Sequence, residues 1–149
     1  MLDFSAPVNA FVSGFPDFLI QLGVALGLFI ASITIYVLMT PHKEFDLIRA
    51  GNPSASLAFG GVIVGLAIPL SSCLEHSFGL WDLLIWGIVT LLIQLLAFRF
   101  ADIFLHGLPR RIAEGDVAAA VFLMSVKIGL GIILAGAVAD PNVNLFRGG

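Results

Sequence analysis

Lys127 is the residue whose type and place most demand a chemical explanation. It lies ten residues past Val117, inside the apolar run Val117 to Val138. At ~1.5 Å of rise per helical residue, that is roughly 15 Å from the start of the run. An ammonium group at such depth in a bilayer costs on the order of 3 kcal/mol on insertion scales. Gln94, at similar depth in the preceding apolar run, and Asp102, near the end of that run, are candidate partners, and together the three form a candidate intramembrane polar site. Ala120, Met124 and Gly131 share the lysine's helical face, which is narrow enough for another helix to cover. Two readings stand side by side. Lys127 serves ion passage or proton coupling, or it is a buried lysine satisfied by Gln94, Thr90 or a backbone carbonyl. A lysine that snorkels to the interface is the third option.

Other reactive residue types form weaker patterns. Arg99 and Asp102 have the i, i+3 spacing of a local helix pair. His42 and His106 could hold a metal or sense pH, but no clear third ligand accompanies them, so no metal site is expected. Cys73, Glu75 and His76 cluster where an apolar run ends and read as loop residues. A single cysteine permits no internal disulfide and no cysteine-based metal site. Hydrolase elbows, P-loops, zinc-protease helices and dinucleotide glycine patterns are missing from the sequence. The expectation is a chain without catalytic residues and without a cofactor.

The elements that must position these residues are membrane helices. Hydrophobic residues make up 59% of the 149-residue chain and charged residues only 11%, against roughly a quarter charged in soluble domains. Lipid is the simplest place for so much apolar surface. Four apolar runs, Phe18 to Met39, Ser54 to Leu74, Leu80 to Leu105 and Val117 to Val138, approach the ~20 residues needed to cross a bilayer core. Each must be a helix, because a lone strand leaves its backbone unpaired in lipid. The fold class is therefore an all-α polytopic membrane protein with four transmembrane helices.

Cations orient the helices. Lys43 and Arg49 lie in the first loop, and Arg99, Arg110 and Arg111 around the third, against Arg147 alone in the tail. This places loops one and three in the cytoplasm and both termini outside. The stretch Met1 to Asp17 has no Lys or Arg, so no cleaved signal is expected and the first helix acts as its own insertion signal. Seven Lys and Arg form no basic stripe, which argues against a nucleic-acid partner.

A shift of 64 residues exposes an internal repeat. Between Gly51 and Leu70, seven of twenty positions are identical to Gly115 through Leu134: Gly51, Ala55, Val62, Gly65, Leu66, Ile68 and Leu70 recur. His42 also falls on His106, and Ile48 on Ile112. Each unit holds two crossings, so the copies insert in the same direction, as two parallel-oriented helical hairpins. The expected divisions are 1–17 as a non-cytoplasmic segment, 18–74 and 80–138 as the two units, and 139–149 as the tail. Asn52 and Asp116 read as helix caps at matching positions, with Pro53 suited to a first helical turn. Small residues at four-residue spacing, Gly23 with Gly27, Gly61 with Gly65 and Ser125 with Gly129, read as packing faces. The last two pairs match in the repeat and are expected to make matching contacts. Pro69 frees the Gly65 carbonyl and kinks its helix. The copies diverge at Lys127 against Ile63 and at Pro69 against Ile133.

The run Ile48-Arg49-Ala50-Gly51-Asn52 followed by Ser54-Ala55-Ser56, with its second copy Ile112-Ala113-Glu114-Gly115-Asp116 followed by Ala118-Ala119-Ala120, resembles the YjfL-like inner-membrane proteins, a domain of unknown function. The resemblance spans all but the first ~15 residues and the tail, within the repeat pattern described. Pro53 and Asp116 depart from its pattern while keeping the capping chemistry. It implies a four-helix protein of the bacterial inner membrane and brings no activity, cofactor or catalytic residue.

Function is expected to be that of an oligomeric small channel or transporter-like component, with the lipid bilayer and further copies of the chain as partners. The alternative is a non-catalytic partner or scaffold for another membrane protein, in an envelope-stress or membrane-maintenance system.

Overall fold

The structure, a computed structural model, describes residues 5–40, 44–77 and 79–139. His42, Lys43, Arg147 and the segment 140–149 lie outside them. Among the described residues six helices form: α1 (Ser5–Met39), α2 (Glu44–Arg49), α3 (Pro53–His76), α4 (Leu80–Phe104), α5 (Leu108–Ala113) and α6 (Val117–Ala139). Four of them, α1, α3, α4 and α6, are long and apolar enough to cross a membrane. The chain is an all-α, four-span protein.

Two features depart from the sequence reading. Helix α1 starts at Ser5 rather than Phe18 and carries Pro16 inside it. Val8 to Phe15 is apolar apart from Asn9 and Ser13, and the Ser13 hydroxyl folds back onto the Ala10 carbonyl, so the helix continues through Pro16 with the loss of that residue's N–H. The connections before α3 and α6 each contain a short helix, α2 and α5, too brief for hydrophobic periodicity to reveal.

Helices α3 and α6 start on the same local device. Asn52 Oδ1 accepts from the Ser54 and Ala55 amides at 2.9 and 3.1 Å. Asp116 Oδ1 accepts from the Ala119 amide at 3.1 Å. Each cap pairs a first-turn N–H that has no intrahelical partner. Before each cap stands a glycine in the left-handed region, Gly51 at φ 82° and Gly115 at φ 93°, where a Cβ would be strained. Their amides close equivalent turns, Gly51 N–H to Ile48 O and Gly115 N–H to Ile112 O, both 3.0 Å. The offset of 64 also maps α2 onto α5 residue for residue.

The core is the seam between α3 and α6. Asn52 Nδ2 donates to the Ile112 and Ala113 carbonyls at 3.2 and 3.1 Å. Further along, Gly61 meets Met124 and Gly65 meets Lys127. At the far end Ser72 Oγ donates to the Ala135 carbonyl at 3.0 Å. Residue numbers rise together along both helices, so α3 and α6 run parallel. Contact is backbone to backbone: a Cβ on Gly65 would sit 2.8 Å from the Lys127 carbonyl oxygen, and one on Gly131 2.5 Å from that of Gly65. Small residues permit such approach in lipid, where packing rather than water drives association.

The small-residue pairs therefore do not make matching contacts. Gly61 and Gly65 lie in the seam, but a Cβ on Gly129 would meet nothing within 4 Å, and Ser125 is exposed, its hydroxyl turned back onto the Val121 carbonyl. On α6 the seam residues are Met124, Lys127 and Gly131. Gly23 and Gly27 also face open space. Helix α1 lies at the edge of the bundle, with Val8, Phe11, Phe18, Ile20 and Ile30 exposed. Around the seam, Tyr36, Phe59, Leu66, Leu95 and Phe98 form one apolar cluster, and Ala55, Ala58, Ile112, Ala120 and Leu123 a second near the helix starts.

Candidate functional site

Lys127 is fully buried. Its Cα–Cβ bond tilts toward the N-terminal end of α6, as in any helix, and the side chain runs that way. Nζ donates to the Tyr36 hydroxyl at 2.7 Å and pairs with Asp102 Oδ1 at 3.4 Å. It also lies 4.7 Å from the centre of the Tyr36 ring and 5.5 Å from that of Phe98, both within reach of cation–π attraction. Tyr36 donates onward to Glu44 Oε1 at 3.1 Å. Four elements thus converge: α6 supplies Lys127, α4 Asp102, α1 Tyr36 and α2 Glu44.

Gln94 reaches the site from its inner side. Its Nε2 donates to the Gly65 carbonyl at 3.1 Å, with the Lys127 carbonyl at 3.5 Å. It therefore meets the backbone of Lys127, while Asp102 meets its ammonium. The Gly65 carbonyl is the one that Pro69 deprives of a helical N–H, so Gln94 replaces the missing bond. Among the described residues, no donor reaches the buried Gln94 Oε1 or Glu44 Oε2, and buried acceptors of this kind generally find one in water or ligand.

A cavity of about 230 Å³ opens beside the cluster on the side of α2 and α5. Polar Glu44, Asp102, Arg99, His106 and Thr40 line it together with apolar Leu47, Ile103, Pro109 and Leu123. Burial raises the Glu44 carboxyl above the usual carboxylate range, an effect that the Lys127 charge opposes. At the α6 start, the Ala119 amide and then the Arg111 guanidinium, 2.6 Å away, hold Asp116 below that range.

Several partners differ from those expected on sequence grounds. Asp102 pairs with Lys127, and among the described residues no Arg99–Asp102 ion pair forms, since Asp102 turns inward while Arg99 is exposed. Thr90 does not meet Lys127 but accepts from the buried Cys73 thiol at 3.4 Å. Cys73, Glu75 and His76 belong to the last turns of α3 rather than to a loop. His106 lines the cavity, and its proposed companion His42 lies outside the described residues. Among the described residues, no group of three His, Cys, Asp or Glu side chains comes together to hold a metal. Tyr36 and Glu44 escaped the sequence reading. The single tyrosine of the chain, late in an apolar run, was the available signal, but its partner depends on how α1 is rotated.

The Domain of Unknown Function (DUF350) family profile matches residues 10–138. The chain belongs to this family. It is 35% identical over 112 residues to the UPF0719 inner membrane protein YjfL of Escherichia coli (strain K12), covering 75% of this chain and 85% of that one. It is 28% identical over 123 residues to the UPF0719 transmembrane protein YshE of Bacillus subtilis (strain 168), covering 77% and 87%. No solved structure matches. Membership of DUF350 agrees with the resemblance read from the two capped loops, and the four spans fit the membrane names of both relatives.

Proposed function

We propose that this DUF350 chain is a non-enzymatic transport subunit of the bacterial inner membrane, a small channel or transporter-like component that works as a homo-oligomer. One observation carries the proposal. An ammonium with no exposed surface lies deep in the bundle, held by Tyr36 and by Asp102, and Asp102 in turn lines a charged cavity at one face. An ionisable residue at membrane depth is costly, and such residues usually mark ion or proton pathways. Oligomerisation is supported by the open small-residue faces at Gly23, Gly27 and Gly129, which a second copy could cover closely.

Two structural readings accompany the proposal. The chain is a tandem duplication of a two-helix unit, supported by the 64-residue offset that maps α2 onto α5 and Gly51 onto Gly115. The loops holding α2 and α5 face the cytoplasm and both termini face outward, supported by Arg49, Arg99, Arg110 and Arg111 on that side.

Purified protein in liposomes should pass ions above the level of protein-free vesicles, and Lys127→Leu should change the rate or the selectivity. Flux equal to that of empty vesicles would falsify the proposal. The exposed apolar flank of α1 favours a second reading, a membrane partner or scaffold in an envelope-stress or membrane-maintenance system. Crosslinking through α1 in native membranes that repeatedly recovers one other membrane protein supports it, and recovery of self-linked species alone counts against it.

A further inference from the structure

The cavity that Glu44 and Asp102 line lies at one end of the spans. Thr40 directly follows α1, Ala55 is in the first turn of α3, and Asp102 is in the last turn of α4. In a bilayer the ends of spanning helices stand at the level of the lipid headgroups. On α4 the lining residues Arg99, Asp102, Ile103 and His106 recur at helical spacing. At ~100° per residue they fall between two faces of that helix. One holds the buried Gln94 and Phe98, the other the exposed Leu96, Phe100 and Phe104. The cavity therefore borders the lipid face of α4, and Ile103 at its edge is itself exposed. Its polar groups carry both signs and keep bonding capacity in reserve. Among the described residues, no ion pair or hydrogen bond engages the Arg99 guanidinium. Glu44 accepts from Tyr36 through Oε1, and no donor among the described residues reaches Oε2.

We infer that this cavity binds the headgroup of an aminophospholipid, a primary ammonium joined through two carbons to a phosphate, with Glu44 taking the ammonium and Arg99 the phosphate. The inference goes beyond the transport reading and holds whether or not the chain conducts. The signs of the charges select a zwitterion. A lone cation would meet the Arg99 guanidinium, and a lone anion the Glu44 and Asp102 carboxylates, in surroundings that screen poorly. A group with one charge of each sign satisfies both. The planar guanidinium fork matches phosphate oxygens, and phosphate is the anion that a bilayer presents at this depth. Glu44 requires N–H donors, which an ethanolamine ammonium has and a trimethylated choline nitrogen lacks. Apolar Leu47, Ile103 and Pro109 offer nothing to further polar groups and suit the adjoining carbons. The volume of about 230 Å³ falls below the ~300–1,000 Å³ of sites that enclose drug-sized molecules, so it takes a headgroup rather than a whole lipid. Burial favours the protonated acid at Glu44, whereas an adjacent ammonium favours the carboxylate. Binding therefore releases the Glu44 proton to solvent.

The test uses the full chain, purified in detergent and freed of lipid, titrated calorimetrically with dihexanoyl phosphatidylethanolamine. One molecule should bind per chain. Phosphatidylglycerol and phosphatidylcholine of the same chain length lack the ammonium or its N–H donors and should bind at least about tenfold more weakly. Glu44→Gln should erase that preference, and Arg99→Gln, at an exposed position, should weaken phosphatidylethanolamine at least about tenfold. Infrared difference spectra of the wild-type chain, at a pH where the Glu44 acid persists, should lose the carboxylic acid band on adding phosphatidylethanolamine and keep it with phosphatidylglycerol. Equal binding of the three lipids, or an unchanged preference in Glu44→Gln, overturns the inference. If that variant does not yield monodisperse protein, the wild-type band decides, and its persistence at saturating phosphatidylethanolamine overturns the inference. Free phosphoethanolamine bound as tightly as the lipid overturns the lipid as source. No saturable binding of any of these overturns the inference and leaves the transport reading, which vesicle flux decides, in place.

Discussion

Gln94 Nε2 donates to the Gly65 carbonyl at 3.1 Å, and that carbonyl is the one Pro69, four residues on, leaves without a backbone donor. The proline in α3 and the glutamine in α4 are thus two halves of one arrangement. In lipid no solvent can compensate the freed carbonyl, so the glutamine amide is the local remedy. Gln94→Leu should lower stability by about 1–3 kcal/mol, the range for a buried acceptor left unpaired. In a Pro69→Ala background the helix recovers its own N–H donor, so the same change should cost less. Unfolding of the four proteins in mixed micelles gives the coupling directly, and strict additivity would contradict this account.

The seam makes a second, position-specific prediction. Gly131→Ala places a methyl group against the Gly65 carbonyl, and Gly61→Ala places one 2.7 Å from Met124 Cα. Neither neighbour is a flexible side-chain tip. Each substitution should cost about 1–3 kcal/mol through forced backbone separation, whereas Gly129→Ala should stay within about 0.5 kcal/mol. Equal effects at Gly129 and Gly131, measured by the same unfolding assay, would place the seam elsewhere.

These glycines show what the sequence could and could not disclose. Composition alone forced helices on the four apolar runs, and Asn52 and Asp116 announced the starts of α3 and α6 because capping is local chemistry. The small-residue pair Ser125 and Gly129 pointed to one face of α6, but the seam uses Met124, Lys127 and Gly131, about 200° round the helix from Gly129 at ~100° per residue. The lysine decides between the faces: a charge cannot be left against lipid, so its face turns inward and carries Gly131 with it. The glycine spacing weighs less than that cost. Tyr36 and Glu44 were not legible because their meeting depends on the rotation of α1 and on a helix of six residues, α2. Neither is encoded in a local pattern.

Acid should loosen the start of α6 and not that of α3. Asp116 is held below the usual carboxylate range by the Ala119 amide and by Arg111. Its folded-state pKa is depressed, so its contribution is present above the unfolded value near ~4 and is lost as pH falls through the lower folded value. Asn52 does not titrate in this range. The amide resonance of Ala119 should therefore shift in acid while those of Ser54 and Ala55 do not, and Asp116→Asn should abolish the Ala119 response. An unchanged titration in that variant would assign the response to another group.

Glu44 should behave in the opposite sense. Burial raises its pKa above the usual carboxylate range, so the fold favours the protonated acid. Its contribution is fully present below the unfolded value near ~4.3 and is lost as pH rises through the folded value. Infrared difference spectra of the protein should show a carboxylic acid band that persists above the ordinary range and is missing from Glu44→Gln. The same variant should remove the fall in stability across that window. A band that disappears at the ordinary carboxylate pH would contradict the burial argument.

Lys127 and Asp102 give the largest expected single effect. Nζ is fully buried and Asp102 Oδ1 is 3.4 Å away. Asp102→Ala removes the nearest negative charge and leaves the ammonium with the Tyr36 hydroxyl and the more distant Glu44. Breaking a buried pair from one side costs about 3–5 kcal/mol, mainly because the remaining charge stays desolvated. Replacing both partners by apolar residues of similar volume, Lys127→Met with Asp102→Leu, removes the orphan along with the pair. The double variant should therefore unfold at higher denaturant than Asp102→Ala, with a stability near that of the parent chain. A double variant as weak as the single one would mean that the pair itself, rather than relief of an uncompensated charge, stabilises the fold.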